Sequence, residues 1–166
     1  MPNTSAEKAH IRRMTAADVP RVMEIAASLP DAPHWPESAY LDALNSESIP
    51  RRVALVGDGP KAVQGFIVAS LLPPQAELES IAVSAGSQRQ GLGRMLFDSL
   101  VKELRTAGVL EIILEARATN RSAVAFYRSA GFSQSGLRKA YYADPVEDAV
   151  LMRLHLPWAA ADQAIR

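Results

Sequence analysis

The chain contains no cysteine. That excludes disulfides, thiolate metal ligands and a cysteine nucleophile that would carry an acyl group between two half-reactions. Histidine is almost as scarce: His10, His34 and His155 are too scattered to show metal-ligand spacing, so no metal site is expected. An excess of one charge is missing too, because 18 Lys and Arg balance 18 Asp and Glu. Neither nucleic acid nor an anionic membrane is therefore an expected partner. No apolar run approaches the length of a membrane span, and the opening "MPNTSAEKAHIRR" lacks the apolar core of a signal peptide. A cytoplasmic protein is the expectation.

What is present is enough to fold: 166 residues, 48% of them hydrophobic, match one domain with a packed core. That domain is expected over residues 10–156, between an N-terminal arm (1–9) and a C-terminal tail (157–166). "HIRRMT" reads as a first strand. "TAADVPRVMEIAASLP" reads as a helix with Thr15 as N-cap, Pro20 in its first turn and Val19, Val22, Met23, Ile25 and Ala26 on one stripe. The proline-rich "LPDAPHWPES" is a loop before a short second helix starting near Pro36.

Two β-rich runs, "RRVALVGDG" and "KAVQGFIVASLL", meet at a glycine-rich turn, and Pro73 and Pro74 end the second. "AELESIAVS" is the next strand. After a glycine loop, Leu92, Met95, Leu96, Leu100 and Leu104 recur at helical spacing up to Gly108. "LEIILEAR" has the composition of a buried central strand, and "NRSAVAFYRSAGF" that of a helix capped by Asn120 and stopped by Gly131. Two strands around Asp144 and Pro145 complete the order β-α-α-β-β-β-α-β-α-β-β, an α/β fold on a mixed sheet.

The loop "AGSQRQGLGR" carries the most specific chemistry. Strand, glycine loop and helix in that order can hold phosphate, because the first N–H groups of a helix lack internal partners. Gly86 and Gly91 have the outer spacing of a nucleotide-triphosphate loop, but Leu92 and Gly93 stand where Lys and Ser/Thr would be needed. A dinucleotide fingerprint fails as well, for want of the third glycine or alanine. What remains is Gln88-x-x-Gly91-x-Gly93, which alone reads equally as a turn whose glycines relieve backbone strain.

With the strand "LEAR" and the helix "NRSAVAFYRSAGF" downstream, this loop resembles the acetyl-coenzyme A core of the GNAT acyltransferase superfamily. "LEARATNRSAVAFYRSAGF" and "LRKAYYADPVEDAVLMRL" resemble, more narrowly, the RimI-type ribosomal-protein-alanine N-acetyltransferases. The resemblance runs from about His10 to Leu156. It implies a GNAT fold, with a mostly antiparallel central sheet flanked by helices, and acetyl-coenzyme A as co-substrate. Its pyrophosphate would lie on Gln88, Arg89, Gln90, Gly91, Leu92, Gly93 and Arg94. Arg89 and Arg94 suit phosphate by charge, but helix-start arginines are as often solvated. The pantetheine arm would run along Ile81, Ala82 and Val83, with Asn120 and Tyr127 near the cofactor.

The resemblance also implies direct transfer to a protein N-terminal α-amine, with alanine of a small-subunit ribosomal protein as the expected acceptor. Glu115 matches the general base, and a carboxylate partly withdrawn from water suits that task; its alternative is a surface strand charge. Tyr127 matches the acid for the departing thiolate, with a core ring as alternative. Trp35, Tyr40, Tyr141 and Tyr142 are candidate walls of a peptide groove, Glu79 a contact for the acceptor terminus, and Glu147 and Asp148 members of a family turn. Competing readings are a small-molecule amine or lysine acceptor, and a catalytically idle coenzyme A-binding module. The segment "PDAPHWPESAYLDAL" departs from the family pattern and bears on acceptor choice.

Overall fold

The computed structural model describes residues 9–157. Apart from Ala9 and Pro157, the expected arm and tail lie outside these residues. The strands are β1 (His10–Arg13), β2 (Arg51–Asp58), β3 (Val63–Leu72), β4 (Gln75–Val83), β5 (Glu111–Arg117), β6 (Ser133–Ala143) and β7 (Val146–His155). The helices are α1 (Val19–Ala27), α2 (Glu37–Ala43), α3 (Leu92–Thr106) and α4 (Arg121–Ser129), with short 3₁₀ turns at Ala16–Asp18 and Ala85–Ser87. One sheet has the order β1-β2-β3-β4-β5-β7-β6. Within it β4 and β5 are parallel, whereas β1/β2, β5/β7 and β6/β7 are antiparallel. The expected α/β class and element order are both borne out.

Among the described residues, internal contacts divide the chain into two compact units: residues 9–70 with Glu79–Lys102, and Leu71–Leu78 with residues 103–157. In the first, Val19, Val22, Ile25 and Ala26 of α1 are buried, as their spacing required, with Tyr40, Phe66 and Val68 in the same core. Thr15 caps the 3₁₀ turn rather than α1 itself, and its backbone N–H donates to Asp18 Oδ2 at 2.8 Å. Arg12 holds Asp18 through both terminal nitrogens, each at 2.8 Å, and reaches Asp58 through Nε at 2.7 Å. One guanidinium thus ties β1 to the start of α1 and to the end of β2.

The start of α3 is seated in the same unit. A Cβ placed on Gly57 would lie 2.6 Å from Leu92 Cδ1, and one on Gly65 would lie 3.2 Å from Leu96 Cδ1. Two missing side chains therefore make the notch into which the first turn of α3 packs, and Leu92 is only 5% exposed there.

In the second unit β5 holds the central position between β4 and β7, as expected of "LEIILEAR". Its burial differs from that expectation. Only Ile112, Leu114 and Ala116 are buried, while Glu111, Ile113, Glu115 and Arg117 line a half-open face. Strand alternation puts every charged residue of the segment on that one face. Asn120 caps α4, accepting from the Ala123 N–H at 3.2 Å, and Gly131 follows the helix at φ 105°. Gly108, at φ 85°, ends α3 in the same left-handed region. Almost all of β6 is exposed.

Candidate active site

The expected site residues fall in both units, and each group has its own geometry. In the first unit β4 leads through the 3₁₀ turn into the loop. The Gln88 side chain does not project outward: its Nε2 donates to the Val83 carbonyl at 3.0 Å, bracing the loop against the end of β4. Gln90 Nε2 donates similarly to Gly86 O at 3.4 Å. Arg89 and Gly91 adopt left-handed backbone, at φ 61° and 83°. For arginine this region is sparsely populated, so the loop is held in an uncommon shape.

The first α3 bond runs from the Met95 N–H to Gly91 O at 3.0 Å. That places the Leu92 and Gly93 N–H groups in the opening turn, where a helix has no acceptor of its own to offer. An added Cβ at Gly91 would meet nothing within 4 Å, so the approach to this helix start is open. Gly91, Arg89 and Gln90 are all exposed. This arrangement fits an anionic group such as a pyrophosphate. Arg94 is engaged differently: its Nε pairs with Asp98 at 3.0 Å, one turn along α3.

Along β4, Ile81 and Val83 are half-buried on the face opposite buried Ala82. The ladder with β5 covers Gln75, Ala76 and Glu77 only, although β4 continues to Val83. Glu79 is occupied by Arg52, whose Nε donates to Oε2 at 2.8 Å and Nη2 to Oε1 at 3.4 Å. Asp42 lies 3.7 Å from the same guanidinium. Glu79 is thus one arm of a charge network reaching α2. Tyr40 is wholly buried, packed 5.2 Å from the half-buried Trp35 ring and 6.0 Å from Phe66. It presents no surface of its own and instead supports Trp35.

In the second unit Glu115 is 26% exposed on the half-open face of β5. Arg138 Nη1 lies 3.6 Å from its Oε1, and the Tyr141 hydroxyl donates a hydrogen bond to it. That bond, with the nearby charges of Glu115 and Glu77, pushes the Tyr141 phenol up. Arg117 stacks over the Tyr142 ring at 4.2 Å, and the Tyr141 and Tyr142 rings meet edge to face at 5.1 Å. Burial, then the charge of Glu115, raises Tyr142 also.

Tyr127 of α4 lies between Phe126 and Phe132, each ring 5.7 Å away. Burial is the main cause that pushes its phenol up to about 12. Such a group keeps its proton at any working pH. The loop before α4 is anchored by Glu147, which accepts from the Thr119 N–H at 2.7 Å and is paired with Arg117 at 3.3 Å. These bonds from Thr119, then Arg117, hold the Glu147 carboxyl below its usual range.

The structure therefore brings Glu115, Tyr141 and Tyr142 together, and Gln88 to Arg94 together. Sequence reading missed Arg138, Arg117 and Thr119 beside Glu115 and Glu147, and Arg52 beside Glu79. Alternation alone places Arg117 on the face of Glu115, two residues away; the other pairings join residues distant in sequence. Among the described residues no group of three or more His, Asp or Glu is disposed to hold a metal, and no helix is long and apolar enough to cross a membrane.

A glycine loop opening a helix in the first unit, and an open-faced strand with a half-buried glutamate in the second, are features of an acyltransferase core. The sequence pattern of the Acetyltransferase (GNAT) family matches residues 20–132, and the chain belongs to that family. Two relatives narrow the likeness. The ribosomal protein bS18-alanine N-acetyltransferase of Salmonella typhimurium is 44% identical over 91 residues, 54% of this chain and 62% of that protein. The match thus spans less than two thirds of that relative's length. The N-alpha-acetyltransferase RimI of Mycobacterium tuberculosis is 35% identical over 150 residues, 89% of this chain and 92% of that one. Among solved structures, the Escherichia coli ribosomal-protein-S18-alanine N-acetyltransferase superposes with a TM-score of 0.77 at 31% identity, covering 92% of this chain and 96% of that chain.

Proposed function

We propose that the protein is a cytoplasmic, acetyl-coenzyme A-dependent N-acetyltransferase that acts on a protein N-terminal α-amine, the preferred acceptor being the N-terminal alanine of a small-subunit ribosomal protein. One catalytic domain over residues 10–156 carries the activity. The observation that carries the reading is Glu115, a half-buried carboxylate on the open face of β5, held by a tyrosine hydroxyl and an arginine. The names of the relatives supply the acceptor class.

The residues present fit the co-substrate. Leu92 and Gly93 N–H groups, with the open position at Gly91, would hold the pyrophosphate; Gln88 and Gln90 would keep the loop in shape, and Arg89 would add charge. Arg94, tied to Asp98, contributes mainly through its backbone N–H. The β4 backbone at Ile81, Ala82 and Val83, beyond the ladder with β5, would bind the pantetheine amides, and Asn120 would donate from its side-chain amide while Oδ1 caps α4.

In the transfer, an ammonium nitrogen sheds two protons, one before it attacks and one from the tetrahedral intermediate to solvent, as it forms the N–C bond and expels sulfur from the thioester carbon. An α-amine has a pKa near 8, so a minority is already neutral at pH 7 and a modest base suffices. Glu115 takes the ammonium proton, directly or through one water. Tyr127 serves the sulfur. Moving its proton fully from a phenol near 12 to a thiolate of ordinary pKa about 8.5 is uphill by roughly 5 kcal/mol. Its larger effect is therefore the hydrogen bond it donates as negative charge develops on sulfur, the proton itself coming finally from solvent. Tyr141 and Tyr142 in the second unit, and Trp35 supported by Tyr40 in the first, would each offer apolar surface to the acceptor peptide. Glu79 and its arginine partner set the charge near the acceptor terminus.

Initial rates on peptides that differ only at the first residue test this reading. A preference for alanine, with blocked-terminus lysine peptides inert, is expected. Faster turnover of a polyamine, an aminoglycoside or a blocked lysine peptide would assign the other acceptor class, and coenzyme A binding without any turnover would leave only a binding module.

A further inference from the structure

We propose that Asp148 is a positioning residue for the transfer: its carboxylate fixes an irregular stretch of β6 that delivers Arg138 and Tyr141 together onto Glu115. The inference rests on the reading of Glu115 as the base.

The two side chains that touch Glu115 are three positions apart on one strand. In a regular strand, residues separated by an odd number of positions point to opposite faces, so Arg138 and Tyr141 would not both meet the same carboxylate. The register shows how they do. Arg138 pairs with Ala149 and Tyr142 with Glu147, which leaves Lys139, Ala140 and Tyr141 facing Asp148 alone. Extra residues in one strand of a pair re-aim a side chain in this way. Here the re-aimed side chain is that of Tyr141.

Such a bulge needs something to hold it. Ala140 has φ 50°, a left-handed conformation that alanine adopts only when its surroundings fix it. Its N–H, turned away from the ladder, donates to Asp148 Oδ1 at 2.9 Å. The backbone carbonyl of the same aspartate accepts from the Ala118 N–H at 3.0 Å, just past the end of β5. Asp148 therefore bonds on one side to the bulge that carries Tyr141 and on the other to the segment leaving the strand that carries Glu115. Arg138 also lies 5.4 Å from the Tyr141 ring, so the two contacts to Glu115 share one support.

Three variants of the full chain, compared with Glu115→Gln, test the inference by single-turnover rate at saturating acetyl-coenzyme A, calorimetric affinity for acetyl-coenzyme A, and thermal melting. Asp148→Ala should slow transfer by roughly tenfold to a hundredfold, as small misplacements of reacting groups do, with acetyl-coenzyme A affinity unchanged. Asp148→Asn, which keeps an acceptor oxygen, should stay within about threefold of wild type. Adding Ala140→Gly to Asp148→Ala should restore part of the rate, since glycine takes this backbone conformation unaided. If Asp148→Ala does not fold, the asparagine variant and the Ala140→Gly, Asp148→Ala pair carry the comparison. A wild-type rate in folded Asp148→Ala beside a slow Glu115→Gln would overturn this inference alone. Equal slowing in Asp148→Ala and Asp148→Asn, with no relief from glycine, would overturn it too. A wild-type rate in Glu115→Gln would overturn the base assignment and this inference with it.

Discussion

Arg12 and Asp18 face each other with both guanidinium terminal nitrogens 2.8 Å from the two carboxylate oxygens, and the same carboxylate accepts from Thr15. Asp18 is only 9% exposed. The hydrogen bonds from Arg12 outweigh the opposing effect of burial and lower its carboxyl from an ordinary 3.8 to about 2.

A depressed carboxylate stabilises the fold above its unfolded pKa, and that contribution disappears as pH falls through the folded value. For Asp18 the window is therefore about 4 down to about 2. The shift corresponds to about 2 kcal/mol. Asp18→Asn should lower stability at pH 7 by that order and flatten the loss of stability between pH 4 and pH 2. Urea titrations of both proteins across that range would check it.

The loop is tested at Gly91. Nothing lies within 4 Å of an added Cβ, so crowding in the free protein is not the issue; the backbone at φ 83° is. Valine there would move the loop to another conformation, and regaining the native one would require about 1–3 kcal/mol. Acetyl-coenzyme A affinity of Gly91→Val should fall about tenfold to a hundredfold by calorimetry. Gly86→Ala, whose Cβ also meets nothing within 4 Å, at a residue without positive φ, is the matched control and should bind normally.

Tyr127 has a raised pKa, so the sign is reversed. Its contribution to stability is complete below the ordinary value of 10 and is lost as pH rises through about 12. Tyr127→Phe should remove that alkaline dependence. Its transfer rate should fall by ~10²-fold at neutral pH, without recovery toward pH 9. Urea titrations at alkaline pH would show the first behaviour and stopped-flow single turnovers the second.

Glu115→Gln should behave differently from Tyr127→Phe. Without a base, the rate depends on amine already neutral in solution, so the deficit should be largest near pH 7 and shrink as pH approaches the amine pKa of about 8. Acetyl-coenzyme A affinity should be unaltered. A deficit independent of pH would remove Glu115 from the base role.

Much of this fold was legible because its signals are local. The α1 stripe, the Asn120 cap and the stops at Gly108 and Gly131 are each written within a few residues. The segment "EIILEAR" was legible as a central strand but read as buried throughout, whereas its alternation leaves Glu115 on a half-open face. What escaped depends on distant partners. Nothing in "LRKAYYADP" signals a left-handed residue, since alanine rather than glycine occupies it; Asp148, across the hairpin, supplies the reason. Arg52 neutralising Glu79, and Glu147 anchoring Thr119, likewise join residues that only the sheet brings close. Tyr40, expected with Trp35 as a wall of a peptide groove, is instead wholly buried in a core cluster.

The central claim concerns which nitrogen receives the acetyl group. A peptide with a free N-terminal alanine and one internal lysine, incubated with the protein and acetyl-coenzyme A, offers both in the same molecule. Fragmentation mass spectrometry should place a single acetyl group on the alanine α-amine, with the lysine unmodified. Acetyl on the lysine with the α-amine free would contradict the account.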